Sequence, residues 1–168
     1  MSGWPQVLEE LLDARGRELK RYAFVLCGSH DEANDLVQEA LVKVLSRPAV
    51  GRLRSAEAFV KKVIANEFID RARARGRWSR YLSRLVPVAD HDDWTTGVER
   101  AGAVRSALDV LSRQQRLCVV LRYYEDLTVP QIAGVMGCSD GTVKRYLSDA
   151  LARLKPQLHG ERLATKEA

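Results

Sequence analysis

The sequence predicts an all-α chain: two small helical domains joined by a flexible linker, the C-terminal one containing a helix-turn-helix. Three observations predict it. Apolar residues recur at i, i+3/i+4 spacing almost throughout, and almost no stretch alternates with period two. The pattern lapses from about Tyr81 to Gly102, where "LVPVADHDDWTTG" gathers Pro, Gly, acids and Thr. Finally, "LTVPQIAGVMGCSDGTVKRYL", Leu127 to Leu147, reads as two short helical runs around a small polar break. The division that follows is a first domain over 1–80, a linker over 81–100, a second domain over 101–158 and a frayed tail over 159–168.

Each element has its own signal. Val7, Leu8, Leu11 and Leu12 set a helical stripe, continued by Leu19, Tyr22, Ala23 and Leu26. "GSHD" at 28–31 breaks it. A second helix starts at Asp31, with Leu36, Val37, Ala40, Leu41, Val44 and Leu45 on one side. "RPAVGRLRS" is a loop, and Ser55 is placed to cap the next helix. That helix carries Phe59, Val60, Val63, Ile64, Phe68 and Ile69 and runs into "RARARGR". Beyond the linker, Val104, Leu108 and Leu111 restart the period, "RQQRLCVVLRYYEDL" gives one apolar helix, and "ALARLKPQL" closes the compact part.

Bulk numbers exclude several classes. The chain has 168 residues, 46% hydrophobic, enough to build a core. Its net charge of +5 is unevenly spread. Lys61 to Leu85 holds eight Lys/Arg against two acids, whereas Val86 to Arg100 holds four acids against one Arg. The concentrated positive charge suits a polyanionic partner. Cys27, Cys118 and Cys138 are an odd, sparse set, which argues for a reducing compartment. "CGSH" at 27–30 lacks a second Cys/His pair at ligand spacing, so Cys27 reads as a small buried thiol. The first residues carry acids and no long apolar region, and no apolar run approaches ~18 residues. A cytoplasmic protein without a membrane partner is expected. No Gly-rich phosphate loop, metal cluster or nucleophile–base pair is present, so neither catalysis nor a cofactor is expected.

Leu127–Leu147 carries chemistry at helix-turn-helix spacing. Thr128 and Gln131 have capping-box spacing, and Pro130 falls in the first turn, where its missing N–H costs nothing. Gly137 suits the positive φ of a helix C-terminus. Ser139 can cap the second helix, and Asp140 complements its positive end. Thr142, Lys144, Arg145 and Ser148 lie on or near one polar side, while Val143, Leu147, Ala150, Leu151 and Leu154 turn inward. Such a second helix enters the major groove, where Lys, Arg, Ser and Thr reach base edges and phosphates. A plain helical hairpin with a solvated polar face has the same pattern.

The order of parts adds a resemblance. "LSRQQRLCVVLRYYEDLTVPQIAGVMGCSDGTVKRYLSDALARL", with "LRYYEDLT" at 121–128 and "GTVK" at 141–144, resembles the C-terminal domain of bacterial extracytoplasmic-function (ECF) sigma factors. "DLVQE", Asp35 to Glu39, resembles the segment by which that family grips the clamp coiled coil of RNA polymerase. "FVKKVIANEFIDRARARGR", Phe59 to Arg77, resembles its promoter-melting helix. "LCG", "DLVQEAL" and "LRYYEDL" are most similar to the actinobacterial SigE-family branch.

The resemblance implies a sigma factor that binds core polymerase through its clamp coiled coil and flap, recognises −35 and −10 promoter elements and promotes DNA opening. It implies core-polymerase contacts at Asp35, Leu36, Gln38 and Glu39. It implies −10 contacts at Lys61, Lys62, Asn66, Asp70, Arg71, Arg73, Arg75 and Arg77. It implies −35 contacts at Arg122, Ser139, Gly141, Thr142, Lys144, Arg145 and Ser148. Asn66 would help hold a flipped base, since an amide both donates and accepts; the basic residues would track the strand. An anti-sigma factor is a further partner that the family admits. Asp149 departs from the family pattern: it reads a base amine, pairs with Arg145 or faces away. Trp78 reads as a packing residue. The rival reading is a LuxR-type helix-turn-helix regulator acting without polymerase, which would not carry the first domain.

Overall fold

The computed structural model describes residues 3–46, 53–82 and 106–164, and is helical wherever regular. Helices α1 (Trp4–Cys27), α2 (His30–Ser46) and α3 (Leu53–Leu82) pack pairwise into a three-helix unit. A second unit comprises α4 (Arg113–Val119), a widened π-helical turn (Val120–Tyr124), α5 (Val129–Met136) and α6 (Asp140–Ala164). Of the expected linker, residues 81 and 82 end α3, and 83–100 lie outside the described residues, as do 165–168 of the expected tail.

The first unit closes around Tyr22, Leu26, Leu36, Ile64 and Phe68, all fully buried. Burying each such side chain is worth about 1.5–3 kcal/mol, which outweighs the weak intrinsic preference of any one helix. Trp4 ties the corners: its indole N–H donates to the Val44 carbonyl at 3.0 Å, and its ring meets Phe59 edge-on at 6.5 Å. Gly28 ends α1 in the left-handed region at φ 77°, with its N–H on the Phe24 carbonyl at 2.7 Å. The Cys27 thiol is buried as expected and donates to the Ser29 carbonyl.

Several expectations are corrected. Ser55 is not an N-cap, because α3 already starts at Leu53. The helix expected over "RQQRLCVVLRYYEDL" changes pitch: the Glu125 N–H reaches the Val120 carbonyl five residues back, and Asp126 follows at φ 53°. A short polar residue tolerates that conformation. The tail begins as helix, since α6 continues to Ala164 through Pro156. Leu151 does not turn inward but is 41% exposed, while Val143 and Ala150 are fully buried as expected.

The two units share one apolar cluster. Leu117, Cys118, Val120 and Leu121 join it from the second unit, and α5 packs on α3. Burial pushes the Cys118 thiol up to about 12, so it is an inert core residue.

Candidate nucleic-acid interface

The helix-turn-helix forms as its sequence dictates. The Gln131 N–H donates to the Thr128 hydroxyl at 3.4 Å, and the Thr128 N–H donates to the Gln131 side chain at 2.8 Å. Gly137 closes α5 at φ 64°. The Thr142 N–H donates to the Ser139 hydroxyl at 3.2 Å, starting α6. With Val143 as the buried anchor, Ser139, Gly141, Lys144, Arg145 and Ser148 are exposed and Thr142 half-buried, so these residues share one solvent-facing surface. The Arg145 guanidinium lies 5.7 Å from the Tyr146 ring. Asp149 is exposed and forms no ion pair with Arg145 among the described residues. Arg122 stands apart from α6: it is exposed and donates to the Leu127 carbonyl at 2.9 Å, bracing the turn ahead of α5.

On α3, Asn66 is half-buried, and its carboxamide makes no hydrogen bond among the described residues. An amide in that state has its donor and acceptor free for a ligand. Asp70, one turn on, is exposed and lies 3.8 Å from Arg73. Lys62 and Arg73 are exposed. Arg75 and Arg77, with Trp78, ride the last turns of α3, but their side chains fall outside the described residues.

Two of the expected −10 residues are engaged elsewhere. Lys61 donates to both Glu125 oxygens at 2.9 and 3.1 Å and lies 3.2 Å from Glu57. Burial pulls the Lys61 ammonium down, but the hydrogen bonds and charges of Glu125 and Glu57 outweigh it and leave it above its ordinary value. Arg71 donates to Glu39 at 2.5 Å. That bond, more than any other influence, holds the Glu39 carboxyl below its ordinary value. One expected polymerase contact and one expected DNA contact are thus bonded to each other.

On α2, Asp35, Gln38 and Glu39 face solvent. Leu36 does not. It is fully buried in the three-helix core, so direct contact by its side chain is withdrawn from the expected polymerase set. Sequence reasoning missed Glu125, Arg113 and Arg116, which join the two units. Nothing in local spacing singles them out, because their partners lie far away in the chain.

Residues 11–78 match the family described as Sigma-70 region 2, and residues 101–154 match Sigma-70, region 4. The chain is 34% identical over 156 residues to the RNA polymerase sigma-E factor of Streptomyces avermitilis, covering 92% of this chain and 87% of that one. It belongs to the ECF sigma factors.

A second relative of this sigma factor is the ECF RNA polymerase sigma factor SigM of Mycobacterium tuberculosis, 29% identical over 92% of this chain and 78% of the relative. Among solved structures it is similar to the sigma factor RpoE of Bartonella quintana, crystallised with the anti-sigma factor NepR. There the TM-score is 0.63 and the identity 28%, over 90% of this chain and 96% of that one. The sigma factor recognises promoter DNA together with core RNA polymerase and acts in transcription initiation. It is an initiation factor rather than a classical enzyme. The region 2 match removes the LuxR-type reading, since that reading has no place for the first unit. No helix among the described residues is long and apolar enough to cross a membrane.

Proposed function

We propose that 1–80 does the work of region 2 and 101–158 that of region 4, with the following division of labour. Asp35, Gln38 and Glu39 on α2 dock against the polymerase clamp. Asn66 holds a base of the −10 element extruded from the duplex. Lys62, Arg73, Arg75 and Arg77, with Lys61 and Arg71 once released, carry the opened strand, and Asp70 lies beside Asn66 one turn along the same helix. Ser139, Gly141, Thr142, Lys144, Arg145 and Ser148 seat α6 in the −35 major groove, with Arg122 supporting its approach on the backbone. The flap is the expected polymerase contact of this second unit. An anti-sigma factor is a further partner, a reading supported by the likeness to a sigma factor solved with one. The sparse cysteines and absent membrane helix among the described residues favour the cytoplasm.

The observation that carries this reading is the Asn66 carboxamide, which makes no hydrogen bond among the described residues and lies one turn from Asp70 on a basic helix. Extruding a base costs a few kcal/mol, and an amide on its Watson–Crick edge offsets part of that. Asn66→Ala removes the contact without opening the core. The test compares polymerase binding with promoter opening, read by permanganate reactivity of unpaired thymines. Opening is expected to fall by tenfold or more, about 1.4 kcal/mol, with polymerase affinity unchanged. Equal loss of both would show that Asn66 serves the fold.

A further inference from the structure

We infer that Asp149 is a base-reading residue that sets promoter choice: its carboxylate accepts a hydrogen bond from the exocyclic amine of a cytosine in the −35 element, about two base pairs from a guanine held by Arg145. This rests on the proposed seating of α6 in that major groove.

Gly141, Arg145 and Asp149 follow one another at four-residue spacing, so they form one row along α6. All three are exposed, and the row turns away from Val143 and Ala150, which are fully buried. The surface that brings Arg145 to the bases therefore brings Asp149 with it, one turn later. Gly141 keeps the leading end of the row low. A Cβ there would meet only the Ser139 hydroxyl oxygen at 3.8 Å, an ordinary contact, so the fold itself does not ask for glycine. Close approach of the backbone to a duplex does.

Asp149 has an arginine one turn away on each side and pairs with neither among the described residues. The Arg145 guanidinium lies 5.7 Å from the Tyr146 ring, and Arg153 donates to the Val110 carbonyl at 3.3 Å. An acid that follows a cation by four residues is in the weaker order for a helical ion pair, which disfavours the Arg145 partnership. Arg153 stands in the better order and is drawn off by Val110. Among the described residues the Asp149 carboxylate is thus left without a partner, beside a cation on the row that faces DNA.

A carboxylate only accepts hydrogen bonds, and the phosphates that line a duplex repel it. In the major groove it finds donors only at cytosine N4 and adenine N6, whereas guanine and thymine present acceptors. Cytosine is the better match, because it presents the amine alone; adenine sets its N7 acceptor alongside and suits an amide. Arg145 has the opposite chemistry, and a guanidinium takes the O6 and N7 of guanine. Four residues advance an α-helix by about 6 Å, close to two base steps of about 3.4 Å each. The two side chains together select a guanine and a cytosine at a short, fixed separation.

The test uses holoenzyme assembled from purified core enzyme and the full chain. It is offered a pool of duplexes whose −35 region is randomised, the rest being one promoter found by start-site mapping. Bound duplexes are sequenced for wild type, D149A, D149N and R145A, with circular dichroism as the check on folding. In the wild type one position is expected to favour cytosine about tenfold over guanine or thymine. D149A is expected to flatten that position and leave the others as they were. D149N is expected to turn it to adenine, because asparagine pairs with adenine N6 and N7. R145A is expected to flatten a guanine position within about two base pairs of it. Preferences that D149A and D149N leave as in the wild type overturn the inference. So does a loss of affinity that is uniform over all sequences, which an acid serving the fold or the overall charge would give. R145A separates the underlying reading. A guanine position lost in R145A while the Asp149 variants match the wild type overturns the role of Asp149 alone; preferences unmoved in all three variants overturn the seating of α6 as well.

Discussion

Leu36→Ala should cost folding stability and spare polymerase contact. The side chain is fully exposed to core and not at all to solvent. Truncation deletes three carbons and leaves a cavity in the buried cluster that Leu36 shares with Leu26, Ile64 and Phe68. Leu→Ala at such sites costs about 2–5 kcal/mol, a large share of a total near 5–15 kcal/mol. Asp35→Ala with Glu39→Ala should behave in the opposite way. Both side chains face solvent, and the Glu39–Arg71 pair is partly exposed, with 47% and 26% of the two side chains accessible. Its loss should cost at most about 1 kcal/mol, while polymerase affinity falls about tenfold, or 1.4 kcal/mol. Urea unfolding followed by circular dichroism, at unchanged slope, gives the first quantity, and titration against core enzyme gives the second. A Leu36→Ala protein within about 0.5 kcal/mol of wild type but unable to bind polymerase would refute the assignment of Leu36 to the core.

Three further outcomes are expected. Arg71→Ala should raise the Glu39 pKa back toward its ordinary 4.5, because the Arg71 hydrogen bond is the main influence lowering it. The stabilisation from this pair is present above the ordinary value and lost as pH falls through the lower folded value, which carboxyl-carbon NMR of both proteins will follow. Gly137→Ala should destabilise the second unit by about 1–2 kcal/mol, measured by thermal unfolding. An added Cβ meets nothing within 4 Å, so the cost is purely that of a side chain at φ +64°. Lys144→Ala should weaken duplex binding evenly across sequences and reduce the slope of log K against log salt by about 0.9.

Most of the fold was legible because its signals are local. The Thr128–Gln131 capping box, Pro130 in the first turn and the left-handed Gly137 each depend on residues within one helical turn, and each formed as read. Leu36 was harder. A leucine beside Asp35 and Gln38 fits a docking face or a core equally well, and only the packing of α1 and α3 over it decides. Ser55 misled because α3 starts two residues earlier. The fastenings between units were invisible: Lys61 and Glu125 are 64 residues apart, and charge patterning marks a cation without naming its partner. The wide turn at Val120–Tyr124 likewise has no local signature, though it leads directly to Glu125.

The central claim is that this chain gives core polymerase its promoter choice. Run-off transcription with purified core enzyme over a genomic fragment library, followed by mapping of the start sites, tests it most directly. The account predicts discrete starts that require the sigma factor and share two upstream elements at fixed spacing. Specific duplex binding by the free chain, with no transcript that depends on it, would contradict the account.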